Sequence, residues 1–250
     1  MTQRIREFIA NLQGWGVFLY LLMRYLLARR GLGQAVPFVN HAGHVIRVGY
    51  QLFRWPRRVR FVNPQYCPKK APAIFVSNHY KLDDPIYLWP AIYECSNKTI
   101  LVSFMMRDDF FNRFPYKWWL FDLNEVAGQC KALLISRERL SIAQLKPFLE
   151  LLGKPDAFLM FPGRTRSRGG FYLEYRDDIE DPASVAFFVS QAQRRNPAMS
   201  VPVVPMGRTW HAVKNTSAVV FGEPLYLPVN ANRHDQRALD LEMLARMAEL

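Results

Sequence analysis

Beyond residue 60 the sequence alternates between short apolar segments and helix-like stretches, and this alternation restricts the possible folds more than any other feature. The apolar segments have the length and composition of buried strands. They are Ala73–Ser77, Thr99–Phe104, Ala132–Ile135, Ala157–Phe161, Val201–Pro205 and Ala218–Phe221. The helix-like stretches are Ser141–Leu152, Ser184–Arg194 and residues 234–250. Strands that alternate with helices predict an α/β domain with a mixed, mostly parallel sheet flanked by helices.

The N-terminal residues 5–30 have the apolar periodicity of a helix, with arginines at both ends and glycines behind it. The apolar run Trp15–Met23 is well short of the roughly 20 residues that a membrane span needs. A second stretch, residues 36–55, is also amphipathic and leads into several arginines around Trp55. Two such helices with basic edges predict insertion into one leaflet of a membrane. Packing on the domain or on a partner chain is the first alternative, and a true span is the second.

His41 and His44 are expected to lie between these two helices, as solvated or interfacial side chains. Near residues 56–64 the sequence changes from amphipathic helical stretches to short apolar segments. This change predicts an N-terminal segment of residues 1–58 and an α/β domain of residues 59–250.

Charge and cysteine content narrow the classes of partner and compartment. Lys and Arg exceed Asp and Glu by 33 to 21, a formal net charge of +12, which predicts an acidic partner. No nucleic-acid-binding motif accompanies this charge, so membrane lipids are favoured over nucleic acid. Cys67, Cys95 and Cys130 are far apart without a CxxC pair, which argues against a zinc site or a disulfide framework. Their odd number fits a reducing compartment, and we expect a peripheral or monotopic protein on the cytoplasmic face of a membrane.

A first polar cluster, Asn78–Pro85, follows the predicted strand Ala73–Ser77. His79 and Asp84 are five positions apart, which on a regular helix separates the side chains by about 140°. They therefore have to meet across a turn, with Asp84 as the N-cap and Pro85 as the first residue of the next helix. Asp84 would then hold one imidazole nitrogen and leave the other as a base. Asp83 is a competing partner, and a helix cap beside a structural histidine is the alternative to a site.

A second polar cluster follows the predicted strand Ala157–Phe161 and carries arginines, hydroxyls and glycines on one loop. Its central residues are Gly163, Arg164, Thr165, Arg166 and Ser167. Arg offers a fork of donors suited to phosphate, and Gly lets the backbone approach an anion. The loop is thus a candidate anion-binding site, and an exposed basic turn is the alternative.

The order of these clusters resembles the glycerolipid acyltransferase family typified by bacterial 1-acylglycerol-3-phosphate acyltransferases, the PlsC-like enzymes. The similarity spans roughly residues 60–228 and rests on several blocks in order. The blocks are Asn-His-x4-Asp at Asn78, His79 and Asp84; an apolar strand ending in Arg137; part of Phe-Pro-Glu-Gly-Thr-Arg-Ser at Phe161–Ser167; the proline-bearing strand Val201–Pro205; and Phe-Gly-Glu-Pro at Phe221–Pro224.

The resemblance implies transfer of a fatty acyl group from acyl-CoA or acyl carrier protein to a hydroxyl of a lysophospholipid-type acceptor. His79 would be the general base with Asp84 as its partner, and Asn78, Arg137 and Gly163–Ser167 would bind substrate. No cofactor or metal is expected. Gly163 and Arg164 stand where the family usually has Glu and Gly, so an acceptor without phosphate is an alternative. A non-catalytic membrane lipid-binding protein is another.

Overall fold

The computed structural model describes residues 3–52, 58–77, 84–107, 112, 117, 119, 121–135, 150, 156–162, 185–211 and 216–250. The chain forms two compact units. The first contains Met1–Arg57 and Met106–Arg137, and the second contains Arg58–Met105 and Glu138–Leu250. Each unit is described below by itself.

The second unit is built on a mixed, mostly parallel sheet, which confirms the predicted fold class. Its strands are β1 (Arg58–Val62), β2 (Ala73–Ser77), β3 (Val102–Arg107), β5 (Ala157–Met160), β6 (Val203–His211) and β7 (Thr216–Phe221). They lie in the order β1-β7-β6-β2-β5-β3. Neighbouring strands are parallel except for β6 and β7, which are antiparallel.

The central strands were predictable because parallel strands covered on both faces have continuous apolar sequences. Every residue of β2 and β5 is buried. Strand β1 was not predicted, because Arg58 and Arg60 interrupt its apolar residues. Among the described strands it pairs with β7 alone, at the edge of the sheet, where charged residues are common. Strand β6 also continues to His211, six residues beyond the predicted end at Pro205.

Three helices of the second unit are α3 (Asp84–Cys95), α5 (Val185–Arg195) and α6 (Arg233–Glu249). Helix α6 begins with a capping box in which Asn232 and Asp235 exchange hydrogen bonds. Its predicted apolar side is buried and consists of Leu239, Met243, Leu244 and Met247. The buried Asp240 accepts a hydrogen bond from the Ala186 N–H at 3.0 Å, which ties α6 to the start of α5. Most of the predicted helix Ser141–Leu152 lies outside the described residues.

The first unit contains α1 (Gln3–Arg29), a short 3-10 turn (Phe38–His41), α2 (Ala42–Leu52), α4 (Leu123–Gln129) and strand β4 (Ala132–Ile135). Helix α1 was predicted, and it ends at Arg29, two residues before Gly31, which has a φ of 71°. The second helix begins at Ala42 rather than near residue 36, because Pro37 has an extended backbone before the turn. His41 lies between the two helices as predicted, at the end of the turn. His44 lies within α2, so its predicted placement between the helices is wrong.

Helix α1 has a buried side and an exposed side. Leu21 and Tyr25 form the core of the first unit with Phe38. At 100° per residue, the exposed apolar side chains fall within an arc of about 120° on the opposite side. They are Ile5, Phe8, Ile9, Leu12, Leu19, Tyr20 and Met23, which we call the α1 stripe. None of the helices in the described part of the chain is long and apolar enough to cross a membrane.

Candidate active site

The two strands that lead into the predicted polar clusters are hydrogen-bonded neighbours in the sheet. Val76 near the end of β2 lies opposite Met160, the last residue of β5, and the strands are parallel. Their carboxyl ends therefore meet at one edge of the sheet, where ligands of open α/β sheets usually bind. Ser77, the last residue of β2, is also opposite Met206 of β6. The chain thus brings three strands together at this edge.

Asp84 is the predicted site residue whose side chain is described, and it is buried. Helix α3 begins at Asp84 itself, one residue before the predicted start at Pro85. The carboxylate therefore lies in the first turn, where the partial positive charge of a helix N-terminus favours an anion. Its Oδ1 accepts a hydrogen bond from Nη1 of Arg208 at 2.5 Å. The Asp84 and Arg208 side chains are 4% and 8% exposed, so this is a buried ion pair.

Arg208 reaches Asp84 from strand β6. It lies two residues beyond Met206, so both side chains leave the strand on the same face. The guanidinium carbon is 4.2 Å from the ring centre of Tyr87 on α3, within the distance of a cation–π contact. The buried Nε of Arg208 has no hydrogen-bond partner among the described residues.

The other predicted site residues lie outside the described residues. They are Asn78, His79, Arg137, Gly163, Arg164, Thr165, Arg166 and Ser167. The positions just before the two clusters are described: Ser77 ends β2 as predicted, whereas Phe161, predicted as the last residue of its strand, follows the end of β5 at Met160. Their proposed roles stay predictions.

Sequence reasoning missed Arg208, although the chain carried a signal for it. Arg208 is the one strongly basic residue of Val203–His211, which is otherwise a mostly apolar strand. Because arginine is almost never buried without a partner, a lone arginine in such a strand predicts a buried acid elsewhere in the chain. No local pattern identifies which acid that is.

The cysteines lie in different electrostatic surroundings. Burial raises the pKa of the Cys130 thiol to about 12. A hydrogen bond between Cys67 and Cys95, together with burial, raises the pKa of Cys67, and the same bond lowers the pKa of Cys95. Within the described ranges, no three His, Cys, Asp or Glu side chains are grouped as they would be to hold a metal ion.

The comparisons with known proteins agree with this architecture. A family model described as Acyltransferase matches residues 58–208. A solved structure that matches is the 1-acyl-sn-glycerophosphate acyltransferase PlsC from Thermotoga maritima, with a TM-score of 0.53 and 16% sequence identity. The match covers 99% of this chain and 97% of that one, and at this identity it shows a shared fold. A search of curated proteins found no match.

Proposed function

Because the chain belongs to the acyltransferase family, we propose that it moves a fatty acyl group from acyl-CoA or acyl carrier protein to a hydroxyl of a lysophospholipid-type acceptor. The observation that carries the proposal is the buried, ion-paired carboxylate of Asp84 at the start of α3. Burying an ionised carboxylate is costly, so a chain retains one where its charge is used or well compensated. Asp84 is also the acid of the Asn-His-x4-Asp block that includes Asn78 and His79.

In the proposed reaction, His79 is the general base. A lipid hydroxyl ionises only far above neutral pH and is a weak nucleophile, so a positioned base accelerates its attack by roughly 10²–10⁴-fold. The imidazole takes the hydroxyl proton as the oxygen attacks the thioester carbonyl. The C–S bond then breaks, and the imidazolium returns the proton to the departing thiolate. Asp84 holds the imidazole and stabilises its charged form, as the acid of a serine hydrolase triad does.

The acceptor is proposed to carry a phosphate, as in 1-acylglycerol-3-phosphate. Arg137, Arg164 and Arg166 supply positive charge for it, and Asn78, Gly163, Thr165 and Ser167 supply further polar contacts. Arginine suits this task because its planar fork of donors matches phosphate oxygens. Backbone N–H groups of the same glycine-bearing loop are proposed to stabilise the oxyanion of the intermediate. We propose no cofactor or metal for this reaction.

A second candidate is an acyltransferase for a non-phosphorylated hydroxyl acceptor. It is favoured by Gly163 and Arg164, which replace the Glu-Gly pair of the family motif. A panel of lysophospholipids, lyso-aminolipids and neutral alcohols distinguishes the two candidates when it is assayed with labelled acyl-CoA and acyl carrier protein. Mass spectrometry of the products identifies both the donor and the acceptor.

The catalytic assignment is tested by His79→Ala in the same assay. We expect the rate to fall by roughly 10²–10⁴-fold because the general base is lost. His234→Ala is the matched control, since His234 is exposed at the start of α6. A His79→Ala enzyme with the wild-type rate would overturn the assignment. A wild-type protein that consumes no thioester with any acceptor would favour a non-catalytic lipid-binding role instead.

The proposed place of action is the surface of a membrane, at its cytoplasmic face. The α1 stripe supports it by presenting exposed apolar side chains along one side of a helix. Arg4 and Arg6 near the start of this helix and Arg30 just beyond its end suit anionic headgroups.

A further inference from the structure

We propose that Arg208 is a positioning residue that fixes the Asp84 carboxylate from strand β6, so that Asp84 can orient the general base. The inference rests on the proposed function, because the pairing of Asp84 with His79 is part of it. It adds a residue outside the ordered blocks that carry the family resemblance. Arg208 touches no substrate in this proposal and acts through Asp84.

Arg208 lies near the end of β2 in the sheet. The paired register of β2 and β6 ends with Ser77 opposite Met206, and Arg208 lies two residues further along. In the sequence, β2 continues directly into Asn78 and His79. Arg208 therefore extends from β6 at the edge where β2 enters the catalytic block.

The guanidinium of Arg208 is held by two contacts. Its Nη1 is 2.5 Å from Asp84 Oδ1, and its plane is backed by the ring of Tyr87 at 4.2 Å. Asp84 and Tyr87 are both on α3, three residues apart, so one turn of this helix holds the arginine on two sides. The pair therefore also sets the orientation of the start of α3 relative to β6.

The Asp84 carboxylate can accept more hydrogen bonds than the one from Arg208. An ionised carboxylate accepts about four hydrogen bonds. The contact with Arg208 at Oδ1 is thus compatible with a second hydrogen bond from an imidazole N–H. Arg208 then holds the Asp84 carboxylate in one rotamer, and an orienting acid requires such a fixed geometry.

The charges around Asp84 decide what the loss of Arg208 does. Among the described residues, Arg208 from β6 contacts the carboxylate, and Tyr87 from α3 contacts the guanidinium. Without the guanidinium, the carboxylate is buried with less positive charge around it. Its stronger negative field then makes the imidazole bind its proton more tightly. This effect moves the acidic limb of the pH–rate profile to higher pH.

The test compares Arg208→Met, Arg208→Lys and Arg246→Met, with kcat, KM and the pH profile measured for each. For Arg208→Met we expect kcat to fall by about 10- to 100-fold, as when the outer partner of a functional side chain is removed. KM should change little, and the acidic limb should move to higher pH. Arg208→Lys keeps the charge and should leave the limb in place with a smaller loss in kcat. Arg246→Met is the control, because Arg246 pairs with Glu242 on the exposed side of α6.

A merely structural role for Arg208 would change the unfolding midpoint without moving the pH limb. The proposal is overturned if Arg208→Met, folded by circular dichroism, has the wild-type kcat and pH profile while His79→Ala is inactive. If Arg208→Met does not fold, Arg208→Lys decides: a wild-type kcat overturns the proposal, and a reduced kcat with an unchanged KM and an unchanged unfolding midpoint supports it. Full activity in His79→Ala would instead contradict the proposed function.

Discussion

Asp84 and Arg208 are two charged side chains that the fold removes almost completely from water. Such a pair is not a strong source of stability, because the desolvation of both ions offsets most of their attraction. Removing one partner is costly, at about 3–5 kcal/mol, since the other ion stays buried without compensation. A buried pair of this kind is therefore better explained by a need for its charge and geometry. At the residue scale, we therefore assign the Asp84–Arg208 pair to the candidate active site.

The three cysteines are predicted to differ in reactivity. Because burial raises the pKa of Cys130 to about 12, only about one thiol in 10⁴ is ionised at pH 8. We expect iodoacetamide at pH 8 to modify Cys130 far more slowly in the folded protein than in urea. In the folded protein, Cys95, whose pKa is lowered by the hydrogen bond from Cys67, should react before Cys67, whose pKa is raised. Mass spectrometry of a labelling time course checks the order, and equal rates for Cys130 in both states would contradict it.

At the scale of the elements, α1 is held to α4 by a cluster around one hydroxyl group. The Tyr25 hydroxyl donates to Glu125 Oε2 at 2.9 Å and accepts from the Asp122 N–H, also at 2.9 Å. Arg29 donates to the same carboxylate oxygen at 3.0 Å. The Tyr25 side chain belongs to the core of the first unit. The inner side of α1 is thus buried within the first unit, and the α1 stripe lies exposed on its other side.

Stability of the first unit is predicted to depend on pH through Tyr25. Burial raises the pKa of this phenol above its usual value of 10.0, so folding favours the neutral form. The contribution is fully present below the pKa of the unfolded chain and is lost as pH rises through the higher pKa of the folded state. Tyr25→Phe should lower the free energy of unfolding by about 1 kcal/mol at pH 8 by removing the hydrogen bonds. It should also lose less stability than wild type between pH 9 and pH 11.

Urea unfolding followed by circular dichroism measures both effects of Tyr25→Phe. Tyr226→Phe is the control, because Tyr226 is 58% exposed and its loss should change neither quantity. An unchanged pH dependence in Tyr25→Phe would show that another group is responsible for alkaline unfolding.

At the scale of the whole molecule, a net charge of +12 and the α1 stripe act on the same kind of surface. Positive charge draws the protein towards an anionic membrane over roughly a Debye length, about 8 Å at physiological salt. Apolar side chains then supply binding that salt does not screen. The combination predicts membrane binding with one component that depends on salt and one that does not.

Membrane binding is tested with vesicles that contain anionic lipid. We expect Phe8→Glu combined with Leu12→Glu to weaken binding by roughly 100-fold, because two apolar side chains no longer enter the lipid. Leu241→Glu is the matched control, since Leu241 is 50% exposed on α6 and lies outside the α1 stripe. Co-sedimentation at low and high salt measures both components. Wild-type binding by the double variant would contradict a role for the stripe.

Local patterns in the sequence were enough for much of the fold. Strands β2 and β4 were predicted at their observed bounds because continuous apolar segments have few other solutions in an α/β domain. Helices α1 and α6 followed from periodicity and from end signals such as Gly31. Strand β1 was not predicted, because arginines interrupt its apolar residues. The start of α2 was predicted too early, because the extended backbone of Pro37 precedes the helix.

For the candidate site, the sequence by itself determined which residue types stand in the catalytic block and in what order. His79 and Asp84 are recognisable there because their spacing is local. The partnership of Asp84 with Arg208 was decided by the tertiary structure, since the two residues are 124 positions apart. They meet because β2 and β6 pair in parallel and bring distant segments to one edge of the sheet. No local pattern encodes that pairing, because it depends on which buried strands lie beside each other.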